Sequence, residues 1–168
     1  IFVTTHKEVD CFDSQILQPV QVGAGRSASR FPDTFHDDEG ENISGLNPLY
    51  CELTTQYWAW KNIAADYYGF CHYRRYFNFS DASFEENAYG EVVEDRVDRE
   101  AQLAYGLTDE AIRDALDGYD LVVTEIKQLS SFPEGFASPR EQYAAAPHLH
   151  VVDLDRVFAI AGEMYPDY

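Results

Sequence analysis

The stretch from Asn47 to Phe79 constrains the fold most, because a helical pattern runs almost directly into an extended one. NPLYCELTTQYWAWKN leads through a short acidic link into YYGFCHYRRYFNF. Asn47 is a good N-cap, and Pro48 suits the first helical position, where a missing N–H costs nothing. The spacing predicts a helix from Pro48 to Asn62. At about 3.6 residues per turn Leu49, Leu53, Tyr57 and Trp60, with Tyr50 at the margin, share one arc, while Glu52, Thr55 and Ala59 point away. The expectation is a helix packed by a wide aromatic face, with Trp60 largely buried.

From Tyr67 the residues are aromatic and extended in type, which predicts a short buried strand from Tyr67 to His72 or Tyr73. If the strand ran on through Arg74 and Arg75, the two guanidiniums would diverge onto opposite faces. If it ends at Tyr73, both turn toward a cleft at its C-terminal edge, where open α/β sheets bind ligands. The second arrangement is the expected one. On chemistry alone the arginine pair has two equal uses, as an ion-pair centre holding acidic loops or as a bidentate grip on a diphosphate.

These same runs, together with the opening IFVTTHK, the VGAG turn and the GENIS segment in that order, resemble a family of bacterial capsule and exopolysaccharide biosynthesis proteins. Its members are regarded as glycosyltransferases and are built around a domain of unknown function. The resemblance covers most of residues 1 to 80; the YDLVVTE run and final YPDY match more loosely. It implies the N-terminal portion of a glycosyltransferase A-type fold, incomplete at the C-terminus. The implied reaction moves a sugar from a nucleotide-sugar donor to a glycan or lipid-linked glycan in capsule or exopolysaccharide assembly. His6 and Lys7 would frame the nucleotide, Asn42 would contact donor hydroxyls, and His72, Arg74 and Arg75 would hold the diphosphate. In A-type folds the strand after a comparable helix usually delivers a D-x-D pair for manganese or magnesium. Here it carries His and Arg, which puts metal dependence in doubt and gives the arginines the charge-neutralising role. No general base is assigned.

The remaining pattern agrees with a single α/β domain over residues 1–168. Ile1–Thr5 reads as a strand, and Ile16 to Val22 is a second apolar stretch closed by Gly23 and Gly25, although G-x-G alone is not a phosphate loop. Residues 26–46 read as a long loop. Its carboxylates Asp37, Asp38, Glu39 and Glu41 form a solvated acidic run rather than a calcium loop. Residues 80–102 read as an acidic surface insertion with some helix. A helix begins after Thr108 with Ile112, Ala115 and Leu116 inward, and Tyr119–Thr124 follows as a buried strand. Two helix-then-strand units in succession imply a mostly parallel sheet flanked by helices.

Near the C-terminus, Ser138-Pro139-Arg140-Glu141 is a capping box for a helix ending near Ala146. Asp153 caps a last helix with Leu154, Val157, Phe158, Ala161 and Met164 on one side. His148, His150, Asp153 and Asp155 are the most metal-like group, and Asp153-Leu154-Asp155 matches D-x-D, but capping explains Asp153 without a metal. A metal-dependent hydrolase built on that group is the weakest alternative function. A noncatalytic glycan-binding or assembly module is the stronger one, since 12 tyrosines and 11 phenylalanines would stack on sugars as readily as pack a core.

Charge and cysteine usage narrow the partners. A net charge of −18 repels nucleic acid and anionic lipid. Three cysteines without a paired spacing suit a reducing compartment, and no apolar run reaches the ~20 residues of a membrane span. The expected setting is the cytoplasm, with peripheral association with membrane assembly machinery.

Overall fold

The computed structural model describes residues 1–167. They form two compact units, Ile1–Ser83 with Glu94–Val122, and Phe84–Val93 with the chain from Val123 onward.

The first unit is built on an all-parallel sheet of β1 (Phe2–Thr5), β2 (Gln18–Gln21), β3 (Phe35–His36) and β4 (Phe70–His72), in the order β3-β2-β1-β4. β1 is central, and all four of its residues are buried. Its alternation divides the core into two layers. Phe2 packs with Val20, Trp58 and Ala59 on one face, while Val3 packs with Leu17, Tyr73, Leu107 and Ile112 on the other. Helix α2 (Leu53–Asn62) therefore covers the first face and α4 (Asp109–Leu116) the second, as a parallel sheet requires.

The organising helix departs from its sequence pattern in two ways. It is broken into α1 (Asn47–Tyr50) and α2 at Cys51, whose φ is 46°. Asn47 is the first helical residue rather than the cap, and its amide donates to the Cys51 carbonyl at 2.8 Å, closing the short turn. The predicted packing face is also wrong. Trp60 is 65% exposed, with Leu49 and Leu53 also exposed, whereas Thr54, Thr55, Trp58 and Ala59 are buried. The physical reason is the sheet surface itself. Ala59 permits close approach, Trp58 fills the space against the Phe2 and Phe35 rings at 5.7 and 5.6 Å between centroids, and Thr54 donates to buried Asp37. Those contacts set the rotation of the helix, and apolar residues on its other side are left to solvent.

Two further expectations fail. Residues 119–124 form no strand among the described residues and are exposed, Leu121 by 76%, because no neighbouring strand lies beside them to satisfy their backbone. Conversely, the supposed loop 26–46 contains β3, whose two residues pair with Val20 and Gln21.

The expected cap of α4 at Thr108 is made by its side chain, and the helix before it has a side-chain cap that the sequence reading did not name. Asp98 accepts from the Ala101 amide at the start of α3 (Arg99–Ala104), and Thr108 accepts from the Ala111 amide. Asp109, in the first turn of α4, reaches across to the approach of β2, accepting from the Ser14 hydroxyl and the Gln15 and Ile16 amides. The Ser14 hydrogen bond first, then the two amides, hold its carboxyl below the usual range. A carboxyl depressed in the folded state contributes stability above its unfolded value, about 3.9, and loses it as pH falls through the folded value. Asp109→Asn should therefore cost roughly 1 kcal/mol at pH 7 in urea denaturation, and the difference from wild type should close as pH falls through the folded value.

In the second unit the capping box forms as expected. Ser138 accepts from the Glu141 amide at the start of α5 (Pro139–Ala145). The last helix, α6 (Val151–Met164), begins earlier than predicted, with His150 at its N-cap and Asp153 inside the first turn. A carboxylate there still complements the helix dipole. The predicted apolar side of α6 is exposed, Phe158 and Met164 each by 64%.

Candidate functional site

Strand order points to a candidate site. The chain moves outward from β1 to β2 and β3, then crosses back to place β4 on the opposite side of β1. By the general rule for open parallel sheets, such a reversal marks the carboxyl ends of β1 and β4 as the edge where ligands bind. His6 and Lys7 leave β1 there, and His72, Tyr73, Arg74 and Arg75 leave β4. The His6 ring lies 6.2 Å from His72 and 5.5 Å from Tyr73 between centroids. Five of the six donor-site residues anticipated from the sequence thus share one edge.

The backbone at this edge is fixed by β1. The Tyr73 amide donates to the Thr4 carbonyl at 3.0 Å, and the Thr4 hydroxyl donates to the Cys71 carbonyl at 2.9 Å. The strand ends at His72, where a turn closed by the Arg75 amide on the His72 carbonyl brings both arginines to the edge. Tyr73 is buried beneath them, and the Arg74 guanidinium lies 5.3 Å from its ring centroid. Arg74 and Arg75 are exposed, and neither makes an ion pair among the described residues. In a chain with 30 acidic residues, two arginines without a carboxylate partner are a local positive patch set against the overall charge.

His72 accepts the Arg74 amide at Nδ1, so its proton sits on Nε2, facing Glu52 Oε1 at 3.8 Å. Burial, then the Arg74 charge, lowers its pKa, so the ring is neutral at pH 7 and offers Nε2–H as a donor. Glu52, at the N-cap of α2, went unassigned in the sequence; only the break at Cys51 brings it to this edge. Cys71 lies just inside, its thiol pushed up to about 12 by burial, which makes it a packing residue rather than a nucleophile.

Beside β1 the edge continues into a cleft of about 360 Å3 lined by Thr5, Lys7, Asp10, Phe31, Pro32 and Thr34 among others. Buried Gln21 at the end of β2 ties down the segment that supplies Phe31 to the cleft, accepting from the Phe31 amide and donating to the Ser29 carbonyl.

Asn42 stands apart from this edge. It follows β3, at the far side of the sheet from β4, and its side chain donates to the Asp38 and Gly40 carbonyls and accepts from the Ser44 amide. Of the acidic run around it, Glu39 and Glu41 are exposed as expected, Asp38 is half-buried and Asp37 is buried. Asp38 pairs with Arg30 at 2.6 Å, Glu39 with His36 at 3.3 Å, and Glu41 with Lys61 at 3.3 Å.

Asp37 is fully buried and accepts four hydrogen bonds, from the Gly23 and Ala24 amides at 2.8 and 2.9 Å and the Ser44 and Thr54 hydroxyls at 2.5 and 2.6 Å. The VGAG turn is therefore an anion-binding nest after all, but its anion is the protein's own carboxylate. Gly23 has φ 68°, and a Cβ there would lie 2.8 Å from the Asn47 side chain.

A divalent metal fits poorly. Among the described residues no three of His, Cys, Asp and Glu gather closely enough to hold one. Asp153 and Asp155 are two apart on α6, so their carboxylates point about 200° from each other, and Asp155 is paired with Arg140 at 2.6 Å.

A family model described as a domain of unknown function, DUF4422, matches residues 1–168. Among solved structures, the apo form of the bifunctional glycosyltransferase WbbM is similar over 98% of this chain, with a TM-score of 0.92 and 35% identity. The chain spans 29% of that protein's length. No curated protein matches it.

Proposed function

The chain belongs to the DUF4422 family, and from that membership we propose that it is the donor-binding portion of a glycosyltransferase acting in capsule or exopolysaccharide assembly. The observation that carries the reading is the Arg74–Arg75 couple, without an ion pair among the described residues, at the strand-order reversal beside the His6 and His72 rings. The likeness to WbbM supports glycosyl transfer as the reaction class.

In this reading a nucleotide-sugar donor lays its nucleoside in the cleft beside Lys7, Phe31 and Pro32. Its diphosphate takes the arginine forks and the His72 Nε2–H. As the glycosidic bond to the diphosphate breaks, negative charge grows on the leaving oxygen, and the guanidiniums gripping the diphosphate stabilise it. The acceptor is a glycan or lipid-linked glycan. Asn42 would reach donor hydroxyls only after exchanging its loop hydrogen bonds, which makes it the weakest member of the proposed set. Among the described residues no helix is long and apolar enough to cross a membrane. The working site we propose is cytoplasmic, peripheral to membrane assembly machinery.

Lysine keeps the charge at either arginine position but loses the planar fork. Arg74→Lys and Arg75→Lys in the full-length protein should each weaken nucleoside diphosphate binding by about 1.5–3 kcal/mol, the scale of a charged hydrogen bond. Their melting temperatures should stay at the wild-type value, since neither side chain holds an ion pair. Isothermal titration with and without manganese, beside a melt of each variant, reads both quantities. Wild-type protein that binds no nucleoside diphosphate in either condition would overturn the transferase in favour of a noncatalytic glycan-binding module.

A further inference from the structure

The outward side of α2 carries an aromatic platform that neither the core nor the donor edge uses. Trp60 is 65% exposed, and the Tyr57 ring stands perpendicular to it at 5.7 Å. Lys61 Nζ lies 3.8 Å from the indole centroid, so it covers one face. At that exposure the other face is open to water. Glu41 Oε1 accepts from the Tyr57 hydroxyl at 2.8 Å and pairs with Lys61 at 3.3 Å.

This arrangement is held from below. The Asn62 side chain accepts from the Glu41 amide at 3.0 Å and donates to the Glu41 and Trp58 carbonyls, both at 2.8 Å. Gly40, with φ 61°, permits the approach, since a Cβ there would lie 2.0 Å from Asn62 Oδ1. The 40–42 loop is thus clamped to the end of the helix, and Trp60, Tyr57, Lys61 and Glu41 are fixed before any ligand arrives.

We propose that this platform binds a neutral glycan chain, at a site separate from the donor edge. Trp60 lies roughly 12 Å along α2 from Glu52, which faces that edge. The electron-rich face of an indole attracts the slightly positive C–H face of a pyranose ring, and hydroxyls at the ring's rim then meet the carboxylate and ammonium beside it. An apolar protein surface would have to strip water from the Glu41–Lys61–Tyr57 group without replacing its hydrogen bonds. A sugar replaces them with its own. The overall charge of −18 disfavours acidic polysaccharide and nucleic acid. The site needs no transferase activity, so its failure and that of the donor-site reading are separately visible.

The test is affinity electrophoresis of full-length protein in native gels cast with a soluble galactan, glucan or mannan, and with alginate as the acidic control. Wild-type protein should be retarded by at least one neutral polymer and not by alginate. Trp60→Ala should weaken the apparent affinity at least tenfold, with circular dichroism unchanged because the ring lies outside the core. Trp60→Phe should recover most of the binding, and Arg74→Lys should migrate as wild type. Free migration of wild type in every neutral polymer would overturn the proposal, as would equal retardation of Trp60→Ala. A change in oligomeric state of Trp60→Ala on sedimentation, without glycan binding by wild type, would reassign the platform to a protein contact.

Discussion

Trp58→Ala should lower the unfolding free energy by about 3–5 kcal/mol, while Trp60→Ala, two positions away, should change it by less than ~1 kcal/mol. Trp58 is 2% exposed and makes ring contacts with Phe2 and Phe35, so truncation leaves a cavity at the centre of the layer between sheet and helix. Its indole nitrogen finds no hydrogen-bond partner among the described residues, so Trp58→Phe removes bulk alone and should be much the milder change. Urea denaturation followed by circular dichroism measures all three. Equal losses at positions 58 and 60 would mean that α2 is rotated from the orientation described.

Asp37→Ala should cost a similar amount, about 3–5 kcal/mol, for a different reason. Removing the carboxylate leaves two backbone amides and two hydroxyls buried without their acceptor, and each unsatisfied donor carries its own desolvation penalty of about 1–3 kcal/mol before relaxation. Asp37→Asn keeps the shape but replaces one acceptor oxygen by a donor facing donors, so it should recover little. A thermal melt of the two variants decides the matter. Asn rescuing the wild-type stability would show that the charge is dispensable and that only the volume matters.

The sheet class and the ends of β1 and β4 were legible in the sequence because strand propensity and turn residues are local. IFVTT can pack as a central strand whatever surrounds it, and the polar residues that follow must emerge at its end. The phase of α2 was not legible. Aromatic and apolar residues occur on both sides of YWAW, so period alone cannot choose between Trp58 and Trp60; the choice comes from Asp37 and from the Phe2 and Phe35 rings. Asp37 itself sits in a run of acidic residues that reads as solvated. Its burial depends on donors from Gly23 to Thr54, none of which is a sequence neighbour. Likewise, β3 is two residues long and has no periodicity to detect, while Leu121-Val122-Val123 has every local mark of a strand and lacks only a neighbour.

The position of β4 bears on when the proposed donor edge comes into being. β1 and β2 are close in sequence, so they can pair early with little loop-closure entropy, whereas β4 must return across the whole β2–β3–α2 excursion to reach the opposite side of β1. Until it docks, His6 and Lys7 stand beside a strand with one open edge, whose unpaired N–H and C=O groups invite other chains. On loop-closure grounds the two halves of the proposed binding edge are expected to meet late, and a nucleotide spanning them as proposed would hold β4 in register.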